Sequence, residues 1–261
     1  MTTIEKFGAG EFCWVELATT DVAGAKSFYT KLFGWKPQDS PLPDGGVYTI
    51  FHSGDRPAAA ANEQQEHERS QGIPPHWNLY VSVDDVDKSA AKAAEAGATV
   101  LVPPFDVMDA GRMTVLADPT GPVISLWQTT SMPGFAVRDE HGSFSWAECY
   151  SPDPQRAATF YEDLFGWTAN TVEMDMGPYT ILHREGHDIA GLLAPPAPDI
   201  PPNWLPYFQV SDAEGITTAA GDAGAHVQMG PMAIPDVGTF SVITDPQGAT
   251  FAIIRSENPA G

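Results

Sequence analysis

Residues 11–35 read EFCWVELATTDVAGAKSFYTKLFGW, and residues 143–167 read SFSWAECYSPDPQRAATFYEDLFGW. These are two versions of one segment. Trp14 matches Trp146, Glu16 matches Glu148, Asp21 matches Asp153, and Phe28-Tyr29 matches Phe160-Tyr161. Leu32-Phe33-Gly34-Trp35 returns as Leu164-Phe165-Gly166-Trp167, all at the one offset that separates Trp14 from Trp146. A second, slightly shorter offset relates Trp77 to Trp204, Tyr80 to Tyr207, Gly97 to Gly224 and Gly111 to Gly238. Asp118-Pro119-Thr120-Gly121 returns as Asp245-Pro246-Gln247-Gly248. A repeat this long means two similar domains rather than a solenoid. The expected division is 9–129, a linker over 130–141, and 142–257.

The repeated segment carries its own local structure. Alternation over Cys13 to Thr19 puts Trp14, Glu16 and Ala18 on one face of a strand, with Cys13, Val15 and Leu17 on the other. Asp21 is placed to cap a helix. Ala25, Phe28, Tyr29, Leu32 and Phe33 follow at helical spacing, and Gly34 supplies the left-handed stop. Strands are expected around 47–51 and 56–61, a polar loop over 62–72, and a strand over 78–83. An alanine-rich helix over 86–96 and strands near 99–102, 113–116 and 123–128 complete the half. Asp118-Pro119-Thr120-Gly121 fits a type I turn joining the last two strands. Each half thus holds two strand-helix-three-strand units. Pro195 to Pro202 reads as a stiff loop in the second half.

Composition narrows the function classes. The chain has 261 residues, 43% hydrophobic and 18% charged, enough for two buried cores. Its 34 acidic and 13 basic residues give a net charge of −21, which repels phosphate backbones and anionic lipid, so neither nucleic acid nor a membrane is an expected partner. No apolar run reaches membrane-spanning length, and the first ten residues carry no signal-peptide pattern, so a cytoplasmic protein is expected. The two cysteines, Cys13 and Cys149, do not recur between the halves and read as buried thiols.

The order of these motifs, found twice from about Glu11 to Arg255, resembles the vicinal oxygen chelate superfamily of glyoxalase I, bleomycin-resistance proteins and extradiol dioxygenases. The two-domain layout is similar to an actinobacterial subgroup labelled glyoxalase-like or hydroxylase. The resemblance implies an α+β fold: a tandem duplication of a glyoxalase-like domain, four βαβββ units forming two open half-barrels. It also implies three concave-face positions that hold a metal in metal-using members. Here those positions carry Trp14, Asn78 and Ser125 in the first half, and Trp146, Leu205 and Ala252 in the second. Indole, alkyl and methyl groups do not ligate a divalent cation, so no metal cofactor is expected. The alternative is one divalent transition metal in a displaced site using Glu16, His76 and Glu148, serving a lyase, hydroxylase or dioxygenase.

Strand parity gives the first half a concave lining of Trp14, Glu16, His76, Asn78, Tyr80, Ser82, Ser125 and Trp127. The second half receives Trp146, Glu148, Tyr150, Leu205, Tyr207, Gln209, Ala252 and Ile254. Aromatic walls with few polar groups suit a flat organic ligand, such as a planar or carbonyl-bearing metabolite. Glu16, beside an indole, is the candidate general acid or base, and a carboxylate held in a structural hydrogen-bond network is the competing role for Glu16 and Glu148. His76 and Arg112 occur only in the first half, opposite Asn203 and Thr239. They are expected, with Tyr80, to orient or polarise an oxygen. Arg112 has the alternative of an ion pair with Asp109 or Asp106. Trp14, Asn78, Ser125, Trp127, Trp146, Glu148 and Tyr207 are expected at the ligand. A monomer whose domains pair within the chain, or a homodimer, is expected.

Overall fold

A computed structural model describes residues 4–42, 45–174 and 177–257. The chain order is β1 (Phe12–Thr19), α1 (Val22–Phe33), β2 (Lys36–Pro41), β3 (Val47–Ser53), β4 (Arg56–Glu63), α2 (Glu66–Ser70), β5 (His76–Ser82), α3 (Val86–Glu95), β6 (Thr99–Val107), β7 (Gly111–Ala117) and β8 (Val123–Thr129). The second half repeats it as β9 (Ser143–Tyr150), α4 (Pro154–Phe165), β10 (Thr168–Met174), β11 (Gly177–Arg184), β12 (His187–Leu193), β13 (Asn203–Gln209), α5 (Ala213–Asp222), β14 (His226–Ile234), β15 (Gly238–Thr244) and β16 (Thr250–Ser256). Each half forms one eight-stranded sheet, ordered β2-β3-β4-β1-β5-β8-β7-β6 and β10-β11-β12-β9-β13-β16-β15-β14. The tandem α+β duplication expected from the motifs is therefore present. No described helix is long and apolar enough to cross a membrane.

Local chemistry sets the element ends. The Asp21 carboxylate accepts from the Gly24 N–H at 2.9 Å, capping α1, and Gly34 closes the helix at φ 71°. Asp153 and Gly166 do the same for α4. Two elements escape the sequence pattern. β2 is exposed along its whole length and shows no alternation, because as an edge strand it has no face to bury. The short helix α2 lies inside the expected polar loop, its start tied by the Gln65 N–H donating to Glu68 Oε2 at 2.9 Å.

The repeated motifs join the halves. Tyr29 on α1 donates to Asp245 Oδ2 in the second half at 2.9 Å, and Tyr161 on α4 donates to Asp118 Oδ2 in the first at 2.7 Å. The indole N–H of Trp77 donates to Tyr29, and that of Trp204 to Tyr161. Trp35 donates to the Gly142 carbonyl and Trp167 to the Gly10 carbonyl. Each contact has a pseudo-symmetric counterpart, so the duplication builds a self-complementary interface inside one chain. The faces carrying Cys13, Val15, Trp77 and Phe208 meet across it, and one apolar core runs through both halves. On the concave side the halves differ: Trp14, Tyr80 and Trp127 of the first half are continuous with this core, whereas Leu205, Tyr207 and Ala252 of the second form a cluster of their own.

The linker is part of the core. The Phe135 N–H donates to the Cys13 carbonyl at 2.9 Å, and the Phe135 ring stacks on Phe144 at 5.4 Å between centroids. Gly134 makes this possible at φ 137°, because a Cβ there would collide with the Cys13 carbonyl oxygen. Gly134→Ala adds left-handed backbone strain to that overlap and is expected to lower unfolding free energy by roughly 3 kcal/mol. Urea unfolding measures it; a change under about 1 kcal/mol would show that the linker relaxes freely.

Candidate functional site

Glu16 faces the concave side of the first sheet with neighbours on both flanks. In register, β1 sets Glu16 opposite Asn78 and Trp14 opposite Tyr80, and β3 sets Tyr48 opposite Asn62. Three donors converge on the carboxylate. Tyr48 donates to Oε2 at 2.6 Å, while Asn62 Nδ2 and Tyr80 donate to Oε1 at 3.0 and 3.2 Å. The Trp14 indole N–H donates to the Tyr48 hydroxyl at 3.1 Å, which keeps the Tyr48 proton directed at Glu16. Buried Ser125, beside Tyr80 in register, hydrogen-bonds its side chain. The Trp127 ring stands edge-on to Tyr80 at 6.4 Å, its N–H held by the Met132 carbonyl.

Burial pushes the Glu16 carboxyl above the ordinary carboxylate range, against the opposing pull of Tyr48, Tyr80, Asn62 and the more distant His76. Burial and then the Glu16 charge drive the Tyr48 and Tyr80 phenols well above their usual range. The cluster therefore has one carboxyl that holds its proton more tightly than an exposed one, flanked by phenols that remain protonated.

The second sheet repeats the arrangement with different neighbours. Tyr179 donates to Glu148 Oε1 at 2.9 Å, Tyr207 donates to Oε2 at 2.7 Å, and Tyr150 stands 3.5 Å from Oε2. The Trp146 indole N–H donates to Tyr179 at 3.2 Å. Gly191, in register with Glu148, leaves room for the Tyr179 hydroxyl that a Cβ would overlap. Burial raises the Glu148 carboxyl as well. The walls differ: Leu205, Ala252 and Ile254 stand where the first half has Asn78, Ser125 and Trp127.

Not every expected residue joins Glu16. His76 is half-buried on the same strand as Asn78 and Tyr80, its Nδ1 2.9 Å from the Pro74 carbonyl and its Nε2 3.8 Å from Glu68. Arg112 departs from expectation. Met113 is opposite Trp127 in register, so Arg112, opposite Gln128, belongs to the other face. There its guanidinium donates to Asp87 on α3 and to Asp106, the latter being one of its two alternative partners. Tyr48, Tyr179 and Asn62 were not among the expected site residues. A signal for the tyrosines exists in Tyr48-Thr49-Ile50 and Tyr179-Thr180-Ile181, an identical triplet in the two halves.

The donor set does not fit a metal. The three positions in the first half present an indole, an amide and a hydroxyl; those in the second present an indole and two aliphatic groups. Among the described residues no three His, Cys, Asp or Glu side chains gather as a metal site requires. Glu16, His76 and Glu148 do not come together, since Glu148 lies on the second sheet.

With two curled sheets, four repeated units and a Glu–Tyr–Trp relay in each half, the chain belongs to the Glyoxalase/Bleomycin resistance protein/Dioxygenase superfamily, whose model matches residues 12–126 and again 143–253. It is 40% identical to CFP32 of Mycobacterium tuberculosis, whose name assigns it provisionally to the glyoxylases, with 93% of both chains covered. It is 29% identical to the anthracycline biosynthesis protein DauV of Streptomyces sp. strain C5, over 96% of this chain and 94% of that one. Among solved structures, the Mn(II)-bound glyoxalase from Novosphingobium aromaticivorans superposes with a TM-score of 0.66 at 17% identity, covering 98% of this chain and 83% of that one. The 2,3-dioxygenase LapB from Pseudomonas sp. KL28 gives 0.64 at 16% identity, covering 95% and 93%. These two likenesses concern the fold.

Proposed function

We propose that the concave face of the first half binds a planar aromatic metabolite bearing carbonyl or hydroxyl groups, without a metal ion, and that Glu16 exchanges a proton with it. The observation that carries this reading is the Trp14–Tyr48–Glu16–Tyr80 chain, in which the Glu16 carboxylate is taken up by three protein donors. Trp14, Tyr80 and Trp127, each nearly buried, are the aromatic groups a flat ligand would pack against on this face. Asn78 and His76, half-buried beside them, provide polar contacts at the open side. Relatives named for anthracycline biosynthesis support a polycyclic hydroxyquinone as the ligand class.

In the catalytic form, the ionised Glu16 takes a proton from a ligand hydroxyl or from a carbon next to a carbonyl. Once protonated, its carboxyl no longer requires three donors. Tyr80 can then turn its hydroxyl toward the developing oxyanion and stabilise it. In the sequestering form the same face holds the ligand unchanged. Neither form calls on a metal.

Titration with a tetracyclic hydroxyquinone, followed by quenching of tryptophan fluorescence, tests the placement. Trp14→Phe is expected to remove a large share of the quenching. Tyr48→Phe, which leaves the Trp14 N–H and one Glu16 oxygen without their partner, is expected to weaken binding about tenfold. Unchanged titrations for both variants would place the ligand elsewhere.

A further inference from the structure

The second concave face is not a copy of the first. Its lining forms an apolar cluster of its own, separate from the main core: Leu205, Phe240, Val242 and Ala252 are buried, with Met229 and Met232 packed half-exposed against them. In register, Phe240 pairs with Met232 on one side and Ile254 on the other. The ring Trp127 brings to the first half is here only an isobutyl-sized group, Ile254. Two methionines give the wall a flexible, polarizable surface that moulds to an irregular aliphatic shape rather than a flat ring.

Two amides whose oxygens are buried without a hydrogen-bond partner interrupt this face, Asn203 opposite Tyr150 and, at the far end of β13 beside Ile254, Gln209. Gln209, 7% exposed, lies on β13 in the same alternation as Leu205 and Tyr207, with Ile254 beside it in register. Its Oε1 is buried with no hydrogen-bond partner. The equivalent position in the first half is the short Ser82. A buried acceptor left unpaired is destabilising, and an incoming donor that satisfies it gains what the folded chain forgoes. The Glu148 carboxylate, opposite Leu205 on the same strand pair, is already occupied by Tyr179 and Tyr207, so it does not compete for that donor.

We propose that the concave face of the second half is a separate binding site for an aliphatic or alicyclic small molecule carrying a hydroxyl group, whose O–H is received by Gln209. The apolar body of the ligand lies over Leu205, Phe240 and Ala252, with Met229 and Met232 closing around it. The chain then offers two chemically different sites, a ring-lined one that exchanges protons and a moulded aliphatic one that recognises a donor.

Methyl-13C-methionine labelling separates them, because Met229 and Met232 report on the second face and Met113, opposite Trp127, on the first. Titration of the intact chain with 1-adamantanol and with 1-octanol is expected to shift the Met229 and Met232 methyl signals saturably, leaving Met113 in place. Gln209→Met, which keeps length and removes the acceptor, is expected to weaken the binding of at least one alcohol about tenfold. Glu16→Gln should leave it unaltered. No saturable shift at Met229 and Met232 with either alcohol, equal shifts at Met113, or wild-type affinity in Gln209→Met would each overturn the proposal. A failure of hydroxyquinone binding at Trp14 would leave this result standing, since the two readouts lie on different sheets.

Discussion

Asp245→Ala is expected to lower the unfolding free energy by about 3–5 kcal/mol, the largest effect of any single substitution considered for this chain. Asp245 is 3% exposed, and its Oδ1 accepts from the N–H groups of Gln247, Gly248 and Ala249 at 2.8–3.0 Å. Its Oδ2 accepts from Tyr29 across the domain interface. Truncation leaves the Gln247 and Ala249 N–H groups and a buried phenol without their acceptor, each costing about 1 kcal/mol or more, while the Gly248 N–H keeps the backbone carbonyl of residue 245. Burial raises the Asp245 carboxyl, so part of the loss is offset by removing a poorly solvated charge. Asp245→Asn separates these effects. An asparagine Oδ1 keeps the turn donors, and its amide can donate to the Tyr29 hydroxyl, so the expected loss falls to about 1 kcal/mol. Urea unfolding of both variants checks the ordering. Equal losses for alanine and asparagine would show that charge, not the number of orphaned donors, controls the interface.

Glu16→Gln is expected to have the second large effect, on the pH dependence of stability and, if the site turns over a ligand, on rate. The folded state raises the Glu16 carboxyl above its unfolded value, first through burial. The folded chain therefore holds the proton more tightly than the unfolded chain does. Its contribution to stability is fully present below the unfolded carboxyl range and is lost as pH rises through the raised folded value. The difference in unfolding free energy between wild type and Glu16→Gln should shift with pH in that window and be flat below it. Glu148→Gln should behave alike, because Glu148 is raised by the same cause. A wild-type difference that grows more favourable with pH would reverse the sign and refute the buried-acid description. For a catalysed proton transfer, Glu16→Gln should lower turnover by about 10²–10⁴ with binding retained. A ligand bound but never turned over by the wild type assigns the site to sequestration.

The repeat made the fold readable from sequence. Tandem copies of Trp14 through Trp35 show the unit, its helix stop at Gly34 and the strand ahead of it, because each rests on local spacing. What the repeat could not distinguish was a contact within one half from one between halves. Asp118 and Asp245 read as turn residues, and they are; their second oxygens reach the opposite half, which no local pattern encodes. Glu16 was legible as an acid on the concave face. Two of its hydrogen-bond partners were not, since Tyr48 and Asn62 come from strands whose register with β1 depends on the whole sheet. Arg112 misled because its absence from the second half, where Thr239 stands, says nothing of which face of β7 it takes. Its pairing one step from Met113 and Trp127 fixes that face.

The central claim is that the first-half site binds its ligand with protein groups alone. The direct measurement is hydroxyquinone affinity, read by tryptophan quenching, in protein dialysed against EDTA and then compared with and without added Mn(II) or Zn(II). The account predicts one dissociation constant under all three conditions and at least a tenfold loss in Glu16→Ala. Binding that disappears in the stripped protein and returns with a stoichiometric metal ion would contradict it.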